Sequence, residues 1–79
     1  MLPKEVKIGQ HWSTWVPGRR QWLLTMVVAQ GEGCATLEYD VRYGIAPGHD
    51  RQRAEEFTML NTPTLFRFIE GEPDRIPLI

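Results

Sequence analysis

Apolar and polar residues alternate most regularly in CATLEYDVRY, with Ala35, Leu37, Tyr39 and Val41 at one parity and Thr36, Glu38, Asp40 and Arg42 at the other. Successive side chains of a strand point to opposite faces, so the pattern predicts a half-buried strand with the first set inward. RQWLLTMVVAQ, just upstream, places Trp22, Leu24, Met26 and Val28 on one face and Leu23, Thr25 and Val27 on the other. Both faces are mainly apolar, and Trp22 reads as a core residue. Gly31-Glu32-Gly33 between these runs is a tight hairpin connection.

Earlier in the chain, Val6 and Ile8 alternate with Lys7 before Gly9, which predicts a first strand that bends or turns ahead of Trp12. Pro17-Gly18 is a turn signal that ends the segment carrying Trp12 and Trp15. Periodicity fails around the Ser-Thr pair between those tryptophans, so at least one of the two is expected to be partly exposed. Beyond the strand ending at Arg42 lies YGIAPGHD, then DRQRA, read as a short polar fourth strand. EEFTMLNTP opens with two acids, spaces Phe57 and Leu60 by three, and is stopped by Pro63, with Asn61 able to close it in a left-handed conformation. A single helical or 3₁₀ turn from Glu55 to Leu60 follows. The alternative is one longer helix from Arg51 to Leu60, capped by Asp50. TLFRFIE supplies the last strand.

The resulting order is four or five hairpin-connected strands with one helical or 3₁₀ turn before the last. It predicts an all-β fold, a small SH3-like barrel. Residues 1–70 form the single domain and 71–79 an irregular tail. Seventy-nine residues allow only one core.

VKIGQHW, ATLEYDVRYG and MLNTPTLFRFI resemble a group of short, largely uncharacterised bacterial and phage proteins that open on a Gly-Gln-x-Trp element. The likeness covers about residues 5 to 70. It implies the same small barrel and brings no known activity with it.

The chain is 42% hydrophobic and 24% charged, with a formal net charge of −1, which predicts a folded, soluble protein. That balance argues against a dedicated nucleic-acid binder, which carries a basic excess. The lone Cys34 excludes an intrachain disulfide, and no Cys/His set offers four ligands for a structural zinc. No cofactor or metal is called for. The start lacks a signal peptide's apolar core, and the longest apolar run, LLTMVVA, is far short of the ~20 residues a membrane helix needs. A cytoplasmic protein without a membrane span is expected.

Candidate chemistry is sparse. His49-Asp50 is the one adjacent His/carboxylate pair, but neighbours in a loop seldom point together, and a solvated turn explains them better. Glu55-Glu56 fits the start of a helical turn better than a pair of catalytic acids. GEGCAT lacks the third glycine and the following helix of a phosphate cradle.

Arg19, Arg20, Arg42, Arg51 and Arg53 fall at turns, a strand end or the polar fourth strand. Each has a plain structural explanation in pairing with Asp40, Asp50, Glu55 or Glu56. Aromatic residues beside arginine, however, are common anchors of interfaces.

The expected function is therefore a non-enzymatic interaction module for a protein or peptide. Nucleic acid is the alternative partner, and an enzyme using His49 and Asp50 comes third. The expected site combines the loop from Tyr43 to Asp50, with Ile45 and His49, and Arg42, Arg51 and an exposed Trp12 or Trp15. A homodimer through the doubly apolar second strand is a further expectation, unless the tail covers that face.

Overall fold

The computed structural model describes residues 2–71, so most of the expected C-terminal tail lies outside the described residues. The protein is mainly β. Its five strands are β1 His11–Val16, β2 Gln21–Gly31, β3 Cys34–Tyr39, β4 Arg51–Glu55 and β5 Phe66–Ile69. A 3₁₀ turn, Val41–Tyr43, follows β3, and a short helix, α1 Glu56–Asn61, joins β4 to β5. All neighbours pair antiparallel in one sheet of order β4-β3-β2-β1-β5. The two edge strands do not pair with each other. Instead α1 packs against both.

The hairpin turns follow from their sequences. Glu32 and Gly33 both have positive φ, 55° and 74°, the two-residue geometry whose twist matches that of the flanking strands. Glycine adopts it without a Cβ penalty, and Glu32 is the strained member. Between β1 and β2 the four residues Pro17–Arg20 turn with Arg20 at φ 50°. There Arg19 N donates to Val16 O and Arg20 N to Pro17 O.

β2 is the longest strand, and its two partners take different parts of it. Residues 21–26 pair with β1, and residues from Thr25 onward pair with β3. The register slips between Val27 and Ala29, so Val28 is an extra residue, and a bulge of this kind bends a strand and increases its twist. It also exchanges the faces of everything beyond it.

Before the bulge the inward set is Leu23, Thr25 and Val27, all buried. The inward reading of Trp22 is therefore corrected: Trp22 alternates with these residues and belongs to the outer face. The apolar doublet at each step of this strand concealed which parity was the core.

The core cluster comprises Val6, Trp12, Val27, Ala35, Leu37, Met59 and Phe66, with Ala54, Leu60 and Phe68 packed against it. Two threonines sit on the same side, and their hydroxyls are satisfied in place. Thr25 Oγ1 donates to Trp12 O at 2.9 Å, leaving Thr14 Oγ1 to donate to Thr25 Oγ1 at 3.3 Å. Nothing polar is stranded here, as burial without water requires.

Three other expectations need correction. Val6 and Ile8 lie in no strand: a turn at Lys7–Gln10 sends Val6 into the core and leaves Ile8 62% exposed. The third strand stops at Tyr39, so Val41 turns outward in the 3₁₀ turn and is 89% exposed. Asp40 ends that strand by accepting the Arg42 amide on its side chain, a local bond that competes with continued pairing. Asn61 has no positive φ; α1 closes on Thr62, whose N donates to Thr58 O. The strand Arg51–Glu55 followed by a helix is as first expected, and the single longer helix is not formed.

The Gly-Gln-x-Trp element has a physical role. Gly9 takes φ 95°, and the Gln10 amide then serves three groups. Its Oε1 accepts from Lys7 N at 3.0 Å and Trp12 Nε1 at 3.2 Å, while Nε2 donates to Glu5 O at 3.1 Å. Replacing it by the near-isosteric Gln10→Leu leaves the buried Trp12 indole N–H without an acceptor and should cost about 2 kcal/mol. Urea unfolding followed by tryptophan emission measures this; an unchanged midpoint would show that the bond is dispensable.

Candidate functional site

The structure divides the expected site residues into three groups. Trp12 is 0% exposed, with its ring edge-on to Phe68 at 5.4 Å between centroids, so it is a core residue and unavailable to a partner. Arg42 and Tyr43 of the 3₁₀ turn, with Ile45, His49 and Arg51, lie beside the β3–β4 end of the sheet. Trp15 stands on the outer face of β1, alternating with inward Thr14.

The second group is largely engaged within the chain. Arg42 holds Asp40 through a bidentate pair, Nε to Oδ1 at 3.0 Å and Nη2 to Oδ2 at 2.9 Å. Arg51 Nε donates to Glu38 Oε2 at 2.9 Å. Tyr43 continues the sheet where β3 has ended: its hydroxyl accepts from Leu24 N at 2.7 Å, and Asp40 N donates to Leu24 O at 3.1 Å. Ile45 is half-buried and His49 exposed. No hydrogen bond joins the His49 and Asp50 side chains among the described residues, so they do not form an oriented acid–base pair. Of the ion pairs expected for these arginines, Asp40 with Arg42 is present, whereas Arg51 and Arg53 pair with Glu38 and Glu32.

The third group is joined by residues that the sequence reading did not select. The β1–β2 register sets Trp15 directly opposite Trp22, and the two rings lie 5.6 Å apart, tilted by 57°. Arg67 of β5 is opposite Ser13 of β1. Its side chain crosses β1 to bring the guanidinium carbon 4.1 Å from the centre of the Trp22 ring. A guanidinium over an indole face is an attractive arrangement that also fixes the orientation of its remaining N–H donors. Leu65, beside them, is 38% exposed, and its carbonyl accepts from Trp15 N. Arg19 and Arg20 lie in the turn that closes this hairpin. The signal for the cluster was present in the sequence: a four-residue turn after Val16 pairs Trp15 with Trp22. Arg67 lay beyond that signal, because only the β1–β5 pairing brings it there.

Two titratable groups are displaced. The hydrogen bond from the Arg42 side chain holds the Asp40 carboxyl below the ordinary aspartate range, and burial raises the Tyr39 phenol. Tyr39 donates its hydroxyl to Gln52 Oε1. No set of three or more His, Cys, Asp or Glu residues able to hold a metal occurs among the described residues. No helix among them is long and apolar enough to cross a membrane. Comparison with protein-family models, curated proteins and solved structures finds no match for this chain.

Because Asp40 is favoured in its charged form, its contribution to stability is present at neutral pH. That contribution is lost as pH falls below the ordinary aspartate range and through the lowered Asp40 value. Arg42→Ala should raise the Asp40 titration midpoint partway toward the ordinary value, since the backbone amide of residue 42 still donates. Carboxyl ¹³C shifts followed against pH measure this. A midpoint unmoved by the substitution would assign the shift to another cause.

Proposed function

We propose that this protein is a non-enzymatic interaction module built on a small SH3-like barrel, with a protein or peptide as its partner. The barrel reading is supported by β2, which changes partner midway and bends at the Val28 bulge, and by α1, which packs against both sheet edges. Such bends and caps are how a short sheet curls on itself. The observation that carries the functional reading is the Trp15–Trp22–Arg67 cluster on the outer face.

Trp15 and Trp22 are half-buried rather than sealed, so each keeps part of an indole for contact. Large, rigid aromatic surfaces and arginine supply most of the affinity of protein interfaces at low ordering cost. The loop from Gly44 to Asp50 starts close to this cluster, since Tyr43 at its head is anchored to Leu24, two residues from Trp22. β2 is the central strand of the sheet, and a second copy docking on its apolar outer side would occupy this same face.

Trp15→Ala tests the reading, because Trp15 lies outside the core cluster and its removal should leave the fold intact. The wild-type protein and the variant are used to capture partners from lysate of the native host. A partner bound through the cluster should be weakened about 30-fold by loss of an anchoring indole. A folded Trp15→Ala protein that retains the same partners at the same level would refute the proposal. Shortening Ile45–His49 to a glycine-containing turn asks the separate question of the loop, and partner loss with retained folding is expected if the loop borders the site.

A further inference from the structure

We infer that the Trp15–Trp22 surface takes an acidic, extended peptide segment, an inference that rests on the interaction-module reading and specifies its ligand. The basis is the distribution of charge. Although the chain carries a net charge of −1, its ions are segregated. Lys7, Arg42, Arg51 and Arg53 are paired with Glu5, Asp40, Glu38 and Glu32. Asp50, Glu55 and Glu56 lie at the start of β4 and at its junction with α1. Apart from Lys4 in the N-terminal segment, the described cations without a carboxylate partner are Arg19, Arg20 and Arg67. All three belong to the end of the sheet that carries the two indoles: Arg67 lies on Trp22, and Arg19 and Arg20 close the Trp15–Trp22 hairpin.

A local field of one sign beside exposed apolar surface selects a ligand of opposite charge with apolar groups of its own. Arg67 has its guanidinium fixed against an indole, which suits the paired oxygens of a carboxylate.

A single-stranded nucleic acid is also anionic and able to stack, but two observations favour the peptide. Arg67 already covers the face of Trp22, and Trp15 is tilted by 57° to it, so the pair offers no open, parallel platform for successive bases. The net negative charge of the chain also opposes a polyphosphate backbone, whereas a short acidic segment needs only the local patch.

The experiment uses the full chain and three fluorescein-labelled probes: a peptide alternating Glu with Leu, the same peptide with Lys in place of Glu, and oligo(dT). Anisotropy should show binding of the Glu peptide alone, weakening as salt is raised. Arg67→Gln and the doubly substituted Arg19→Gln/Arg20→Asn should each reduce affinity by about tenfold or more. The turn variant guards against misfolding, because both residues are exposed and asparagine accepts the positive φ of Arg20. Arg42→Ala, at a cation already held by Asp40, should bind within about twofold of the parent.

Tighter binding of oligo(dT), Glu-peptide binding indifferent to these arginines, or no binding of the Glu peptide would each overturn the inference. So would sedimentation showing a dimer that Trp15→Ala dissolves, since a second copy would then be the occupant. If Trp15→Ala abolishes capture from lysate while the Glu peptide fails to bind, the interaction surface stands and its acidic ligand does not. If Trp15→Ala captures every partner, the surface itself falls and the ligand with it.

Discussion

The structure depends on one requirement, that the largest side chain in the core carries a polar hydrogen. Trp12 is completely enclosed, and an indole N–H shut away from water must have an acceptor. Gln10 provides it from two residues upstream. Because the same amide also binds Lys7 N and Glu5 O, satisfying the indole fixes the path of the preceding chain. That path brings Val6 into the core and turns Gly9 and Gln10 alongside the bulge, where Gly9 N donates to Val27 O and Val27 N to Gln10 O. The Val6 carbonyl then accepts from the Gln30 side chain beyond the bulge. A single short motif thus fastens the N-terminal segment to the bent half of β2.

With the inner face fixed by Trp12, the outer face of β1 and β2 follows by alternation. Trp15 and Trp22 cannot enter the core without displacing Thr14 and Leu23, both of which are buried. The surface aromatic pair is therefore a consequence of strand parity, and its arginine cover comes from β5, which joins the sheet beside β1. The neighbouring flank of the sheet, where β3 ends beside Leu24, is organised by different forces. There Asp40, Arg42 and Tyr43 terminate β3, and each has a partner within the chain.

How much of this was legible in the sequence varied with the range of the interaction. β3 and the Glu32-Gly33 turn were readable because alternation and turn chemistry are local. The helix before β5 was readable for the same reason, since its acids, spacing and Pro63 lie within nine residues. Val41 was misplaced because its apolar character fits the alternation while the Asp40 side chain stops the strand one residue earlier. Trp22 was misplaced because β2 is apolar on both sides, and only its neighbours' register separates core from surface. In the candidate site, the sequence pointed to Trp12 or Trp15 as a partly exposed aromatic without separating them, whereas Arg67 was not legible, because a contact between residues far apart in the chain leaves no periodic trace. The arginines selected from turns and polar strands were chosen by exposure, and most of those exposed cations are paired.

The pairing of β5 with β1 has a kinetic consequence. Strands β1 to β4 form a meander whose partners are close in sequence, but His11 meets Ile69 only after nearly the whole described chain has been brought round. Closing a long loop carries an entropic cost before the contact it makes can offset it. The meander is thus the part able to assemble early, and docking of β5 is the late, committing event. Until it occurs, Trp12 lacks Phe68 against its ring and Trp22 lacks the guanidinium over its face. Maturation of the buried core and of the surface patch is then one step, and a nascent chain that has not yet delivered Phe66–Ile69 has neither.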